Sequence, residues 1–243
     1  MTYPELLGRK QNHDPLSWNY PARMVTPEFS FGALKPQVRL KRNVGPYEQR
    51  VGDCVLNTSF GIMSTKPNTH RYKSQRTMEK WYERVTGEDI WPGQWFRDGR
   101  AGSDDTGTDM NSAAKSLRDG GLLTRWEHIF TGVQGVLQAL NAGQPVGTGC
   151  IWKYGMFRPD MNGRVRVNQT DETAGGHEWE WVGYDLNDRV LWGCNSWGLD
   201  WADDGYFCMD LDDYDWLVHQ GGDATVLYPV NSVRAKLNFW LAA

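Results

Sequence analysis

Apolar residues in this chain change their spacing near residue 143, and that change limits the architectures open to it. Upstream, Met78, Trp81, Tyr82 and Val85 recur at i, i+3, i+4 and i+7, the stripe of an amphipathic helix. Residues 54–66, 110–118 and 133–142 repeat that spacing, so four helices are predicted. Pro67 ends the first. Thr108 or Asp109 caps the third, Gly120 and Gly121 stop it, and Thr131 with Gln134 forms a capping box for the fourth. Downstream, short runs bounded by turn residues predict strands at 145–152, 177–184, 190–196, 205–211 and 224–228, with a hairpin through Leu186-Asn187-Asp188. One further strand is read near 37–40. Helices first and antiparallel strands second is an α+β layout. A cleft between a helical lobe and a sheet lobe is the natural place for a site.

The 243 residues fit one large domain or two packed lobes. We read residues 1–43 as an arm, 44–143 as a helical lobe and 144–230 as a β lobe, inside one domain spanning 44–243. The Trp-, Gly- and Asp-rich loop at 87–108 is long enough to be functional, and with 154–174 it is expected to shape a substrate pocket. The 13 tryptophans point to rigid aromatic packing. A net charge of −4 gives no generic affinity for nucleic acid or an anionic membrane. No apolar run reaches the length of about 18 residues that a membrane helix needs. The first residues lack the apolar region of a secretory signal, so a cytoplasmic or virion-associated location is expected. The four cysteines, Cys54, Cys150, Cys194 and Cys208, form no C-x-x-C and no zinc spacing with histidine. They read as free thiols, with no metal or other cofactor.

Three segments carry chemistry. Gly52-Asp53-Cys54 puts a thiol at the start of a helix, where unpaired N–H groups favour its anion. Gly175-Gly176-His177 precedes a strand ending Val182-Gly183-Tyr184-Asp185. Asn195-Ser196-Trp197-Gly198 is followed by Trp201 and Gly205-Tyr206-Phe207. A thiol nucleophile needs a base, the base needs a third group to orient it, and the oxyanion formed on attack needs two donors.

In this order these blocks resemble the papain (C1) family of cysteine peptidases, of its bacterial or viral type, over roughly residues 37–228. The resemblance implies a two-lobe fold with the site in the cleft. It implies Cys54 as nucleophile, His177 as base, Asn195 as orienting group shielded by Trp197, and Gln49 with the Cys54 N–H as oxyanion donors. A resting thiolate–imidazolium pair is expected, and Cys54 should be the cysteine alkylated fastest. The implied activity is hydrolysis of a peptide or protein through an acyl-enzyme.

Some positions depart from the pattern. Gln49 stands one position closer to Cys54 than the resemblance implies. Asp53 replaces a serine, and is expected to face solvent and cap the helix. Glu178 and Glu180 replace small or apolar residues. On a strand they share the face opposite His177, Trp179 and Trp181. They either form a solvated sheet face or select basic or amine-bearing substrates, with Glu178 and Trp201 as candidate cleft residues. The arm is shorter than the inhibitory prosegment of secreted members and is read as a partner-binding segment. These departures keep a second reading open: a non-catalytic or single-use component of an assembly such as a phage particle.

Overall fold

The computed structural model describes residues 7–10, 33–87 and 107–230. Most of the 87–108 loop and of the arm lies outside the described residues. Strand β5 (Thr173–Asp185) is the axis of the sheet and is buried from Gly176 to Tyr184. Both its faces are covered, which explains why its sequence carries tryptophans on one face and paired charges on the other.

On one side β5 pairs with β3 (Val146–Lys153), and on the other with β6 (Val190–Cys194); β1 (Gln37–Arg39) pairs with its residues 183–185. Across the sheet the order is β2 (Leu123–His128), β8 (Asp223–Pro229), β3, β5, β6, β7 (Tyr206–Asp210) and β4 (Arg164–Val165). All these pairs are antiparallel except β4 with β7. The register sets Cys150 opposite His177, Gly149 opposite Glu178, and Gly149 again opposite Asp223 on β8. One rung of the sheet therefore reads Glu178, Gly149, Asp223.

Two apolar clusters fill the interior. One gathers α1 (Cys54–Met63), α2 (Gln75–Thr86) and α3 (Met110–Asp119) around Phe60, Met78, Tyr82 and Leu117. The other lies against the sheet and is largely aromatic, with Trp152, Trp179, Trp181, Trp197, Trp201 and Tyr214. Helix α1 is buried at all its positions, so it is the central post of the molecule. Its first residue is thereby held still against β5.

Helix α4 (Gly132–Asn141) does not join the helical lobe in which its sequence position placed it. Val136, Leu137 and Leu140 pack into the sheet-side cluster. The predicted capping box on α4 also fails to form. Thr131 makes no capping hydrogen bond, and its φ of −105° and ψ of 23° are not the extended geometry of a capping residue. On α3, by contrast, Asp109 accepts from the Ser112 N–H at 2.9 Å. Besides the two-residue β4, two elements were unreadable in sequence. In β2 a bulge between Leu123 and Arg125 breaks the two-residue alternation. Helix α5 (Leu211–His219) opens on Asp212 and Asp213, which suit a helix N-terminus but look like a loop.

Candidate active site

The nucleophile position begins at a tight loop. Asp53 precedes α1, and its carbonyl accepts the first helical bonds, from Leu56 and Asn57. The Cys54 N–H stands in the first turn, where no intrahelical acceptor exists. Asp53 does not face solvent. It is fully buried, makes no capping hydrogen bond, and instead accepts from Gln75 Nε2 at 3.0 Å. The expectation of an exposed cap failed because α2 covers this loop. Arg50 on the same loop pairs with buried Glu79 of α2 at 2.8 Å.

His177 and Asn195 come together from adjacent strands. His177 Nε2 lies 2.8 Å from Asn195 Oδ1. The proton can be placed from the partners. The Ser196 backbone N–H must donate, and it donates to the same Oδ1 at 2.8 Å. That atom is therefore the amide oxygen, so Nε2 of His177 carries the hydrogen. In the neutral ring Nδ1 then holds a lone pair, and among the described residues it has no hydrogen-bond partner. Trp197 stacks on the imidazole, with centroids 4.5 Å apart and planes at 25°. Trp152 meets it edge-on at 5.1 Å. The ring is clamped in one tautomer and one plane.

Gln49 is also brought into this group. Its backbone N–H donates to Ser196 O at 2.8 Å, its Nε2 donates to Val51 O at 2.9 Å, and its Oε1 accepts from the Ser196 hydroxyl. The residue ties the loop before Cys54 to the segment carrying Asn195. Trp201 is not an open cleft wall. It is 3% exposed, donates to Phe157 O and packs edge-on against Trp197 at 5.0 Å. It braces the plate behind His177.

Glu178 and Glu180 share a face as expected, but that face is buried, not solvated. Helix α1 and the segment at residues 7–10 cover it. Glu180 pairs with Arg42 at 3.0 Å. Glu178 faces Arg9, with Arg9 Nε 3.5 Å from its carboxylate.

That segment, residues 7–10, lies across the site. The Arg9 N–H donates to Gly176 O at 3.1 Å, beside His177. On the opposite wall Lys10 N–H donates to Thr108 O at 2.9 Å, and Thr108 N–H donates to Gly8 O at 2.8 Å. Gly8 crosses so closely over the nucleophile loop that an added Cβ would stand 1.6 Å from Gly52 O. Only glycine fits there.

No sequence-family model matches the chain, and no match arises among curated proteins. Solved structures do match it along nearly its whole length. Xylellain, a cysteine protease from Xylella fastidiosa, is 18% identical, with a TM-score of 0.68 over 94% of this chain and 97% of its own. Procathepsin B S9 from Trypanosoma congolense is 12% identical, with a TM-score of 0.62 over 94% and 88%. The ragweed pollen allergen Amb a 11, a cysteine protease in its proform, is 13% identical, with a TM-score of 0.59 over 95% and 76%. The chain has a papain-like fold.

In this papain-like fold burial disfavours charge on both groups expected to react. Burial pushes the Cys54 thiol up to about 12, and the charges of Glu178 and Asp53 add to that; backbone hydrogen bonds from Gly8 and Glu178 offset it only in part. Burial holds the His177 imidazole down to about 4, against the favourable bond that its Nε2–H donates to Asn195. Burial thus acts against the charged form of each group taken singly, and Nδ1 of His177 makes no hydrogen bond to the Cys54 sulfur. The cause is desolvation: each charge alone would be buried without water.

A change in the expected alkylation order follows. All four cysteines are free, and Cys208 alone among them is partly exposed. Iodoacetamide should therefore label Cys208 first in the native chain, with Cys54 well behind, as read by peptide mapping at pH 7 over time. Cys54 labelled ahead of Cys208 would mean that residues 7–10 do not cover it in solution.

Proposed function

We propose that this chain is a thiol peptidase that cleaves peptide bonds through an acyl-enzyme on Cys54. One observation carries the reading. A stretch of extended polypeptide already lies over Cys54, held by its main chain on both walls of the cleft. Such a groove suits a peptide strand better than a small molecule. The proton placement supports the chemistry. In this reading Nδ1 of His177 is the base, and Asn195 and Trp197 fix the ring that carries it.

In the proposed reaction Nδ1 of His177 takes the thiol proton as the sulfur attacks the substrate carbonyl. The imidazolium that forms is held through its Nε2–H by Asn195. The oxyanion is received by the Cys54 N–H at the start of α1 and by the Gln49 amide. The imidazolium then protonates the departing amine, leaving a thioester. Water, deprotonated by the same Nδ1, releases the acid and restores the thiol.

The test uses the full chain with an unselective peptide pool. Turnover is followed by mass spectrometry of the new termini, with and without an epoxide reagent that traps reactive thiols. Turnover should fall in proportion to the thioether found on Cys54. Hydrolysis that continues when Cys54 is fully modified would sink the proposal.

A further inference from the structure

Glu180 and Cys194 face each other across β5 and β6. Residues paired across strands point to the same face, and here that face lies under α1. The rung stands three residues after His177 on one strand and one residue before Asn195 on the other. Arg42 closes it. Its Nη1 donates to Glu180 Oε2 at 3.0 Å and to Cys194 Sγ at 2.8 Å, one hydrogen for each strand. The Cys194 thiol in turn donates to Asn195 O at 3.7 Å. The third neighbour is α1. A Cβ at Gly61 would stand 2.8 Å from Glu180 Oε2 and 3.2 Å from Arg42 Nη1, so the helix rests directly on the ion pair.

One guanidinium therefore touches the three elements that carry Cys54, His177 and Asn195. It also lies over the Tyr47 ring at 4.9 Å, two residues before Gln49. Its own backbone fixes it there. The Leu40 N–H donates to Val182 O at 2.7 Å, the Lys66 N–H donates to Lys41 O at 2.9 Å, and Arg42 pairs with Thr65 in a β-bridge beyond the end of α1. Both charged side chains are at most 3% exposed, and Nε and Nη2 of Arg42 have no hydrogen-bond partner among the described residues. A buried pair with donors left over is a poor source of stability, since apolar residues of similar volume often serve as well or better. What such a pair can supply is direction: two hydrogen bonds on one nitrogen fix two strands relative to one helix.

We propose that Arg42 is a positioning residue of the reaction, and that its guanidinium, seated among α1, β5 and β6, sets the spacing at which Cys54, His177 and Asn195 meet. This rests on the peptidase reading. Arg42 touches none of the reacting atoms. It acts through Glu180 on the strand of the base, through Cys194 on the residue that orients the base, and through Gly61 on the helix that carries the nucleophile.

The test replaces the pair by apolar side chains of similar length, Arg42→Met with Glu180→Met, in the full chain. Circular dichroism and thermal unfolding should show a fold as firm as the wild type. On a peptide found in the pool, kcat should fall on the order of 10- to 100-fold with KM little changed, because a misplacement of about 1 Å is enough for such a loss. A folded double variant that keeps its kcat, or one whose loss lies in KM alone, overturns the proposal. If the double variant does not fold, Arg42→Lys takes its place. It keeps the charge but ends short of the Nη1 position, and full kcat in that variant overturns the proposal equally. A second readout needs no turnover. The proton on His177 Nε2, assigned by its absence from the His177→Ala spectrum, should give a slowly exchanging downfield signal in the wild type. In either Arg42 variant it should shift and exchange roughly tenfold faster or more, as a loosened bond to Asn195 opens more often. An unchanged signal overturns the positioning role. A wild-type chain that cuts no peptide overturns the peptidase reading, while a signal that moves in the variant still supports Arg42 as the residue that sets the His177–Asn195 geometry.

Discussion

The Cys54→Ala chain is expected to lose peptide hydrolysis by about 10⁴-fold or more, the scale at which removing a nucleophile acts in an acyl-transfer site. The fold should survive. Cys54 contributes one sulfur to a helix buried at every position, and alanine is the best helix former. His177→Ala should cost nearly as much, because Nδ1 is the only base the proposed mechanism uses. The informative variant is the double one. If sulfur and imidazole act as a unit, Cys54→Ala with His177→Ala is no slower than either alone. Losses that multiplied would mean that the two side chains act in separate steps. The measurement is kcat/KM on a peptide found in the pool, with folding checked by circular dichroism.

The stack behind His177 shows what was legible in sequence. Asn195-Ser196-Trp197 is local: its residues meet because they are neighbours on one strand end, so their roles could be read from order alone. The His177–Asn195 bond joins adjacent antiparallel strands, β5 and β6, and a hairpin is a short-range signal as well. The α+β arrangement was readable for the same reason, since period and order are properties of short windows.

Asp223 and Arg9 were not legible. Asp223 is a polar residue at the start of a strand, and it becomes part of the site only because β8 pairs with β3 at Gly149. Arg9 is far from β5 in sequence, and nothing in its surroundings announces a buried cation. The solvated reading of Glu178 and Glu180 failed on this point. A strand face looks solvated until the elements covering it are known, and here these are α1 and residues 7–10. Asp53 failed likewise, because Gln75 of α2 reaches it from outside the local pattern. The charge expected on Cys54 and His177 is disfavoured for a related reason, because both side chains are fully buried by elements distant in sequence.

Arg9→Glu should uncover the nucleophile. The substitution replaces the guanidinium that pairs with Glu178 and Asp223 with a third carboxylate beside them. Breaking a buried ion pair by removing one partner costs roughly 3–5 kcal/mol. Here the cost is expected to fall on the local seating of residues 7–10, because Gly8 and Lys10 hold on by only a few backbone bonds. A shift of that size raises the open population by roughly 10²- to 4 × 10³-fold. The Cys54 alkylation rate should rise toward that factor, until the segment is open most of the time. Cys208, on β7, should keep its wild-type rate and serve as the internal reference. Opening also returns water to the site, so the His177 imidazole should move up from about 4 toward its ordinary value and the thiol down from about 12. The pH dependence of Cys54 labelling should then shift to lower pH than in the wild-type chain. Acid should reverse part of the effect, because protonating the carboxylates relieves their repulsion and lets the segment reseat, and burial already raises the Glu178 carboxyl well above its ordinary value, so the reversal starts above the usual carboxylate range. If Cys54 in the Arg9→Glu chain reacts as slowly as in the wild type, Arg9 is not what holds the segment over the site, and the backbone bonds to Thr108 and Gly176 suffice to keep it there.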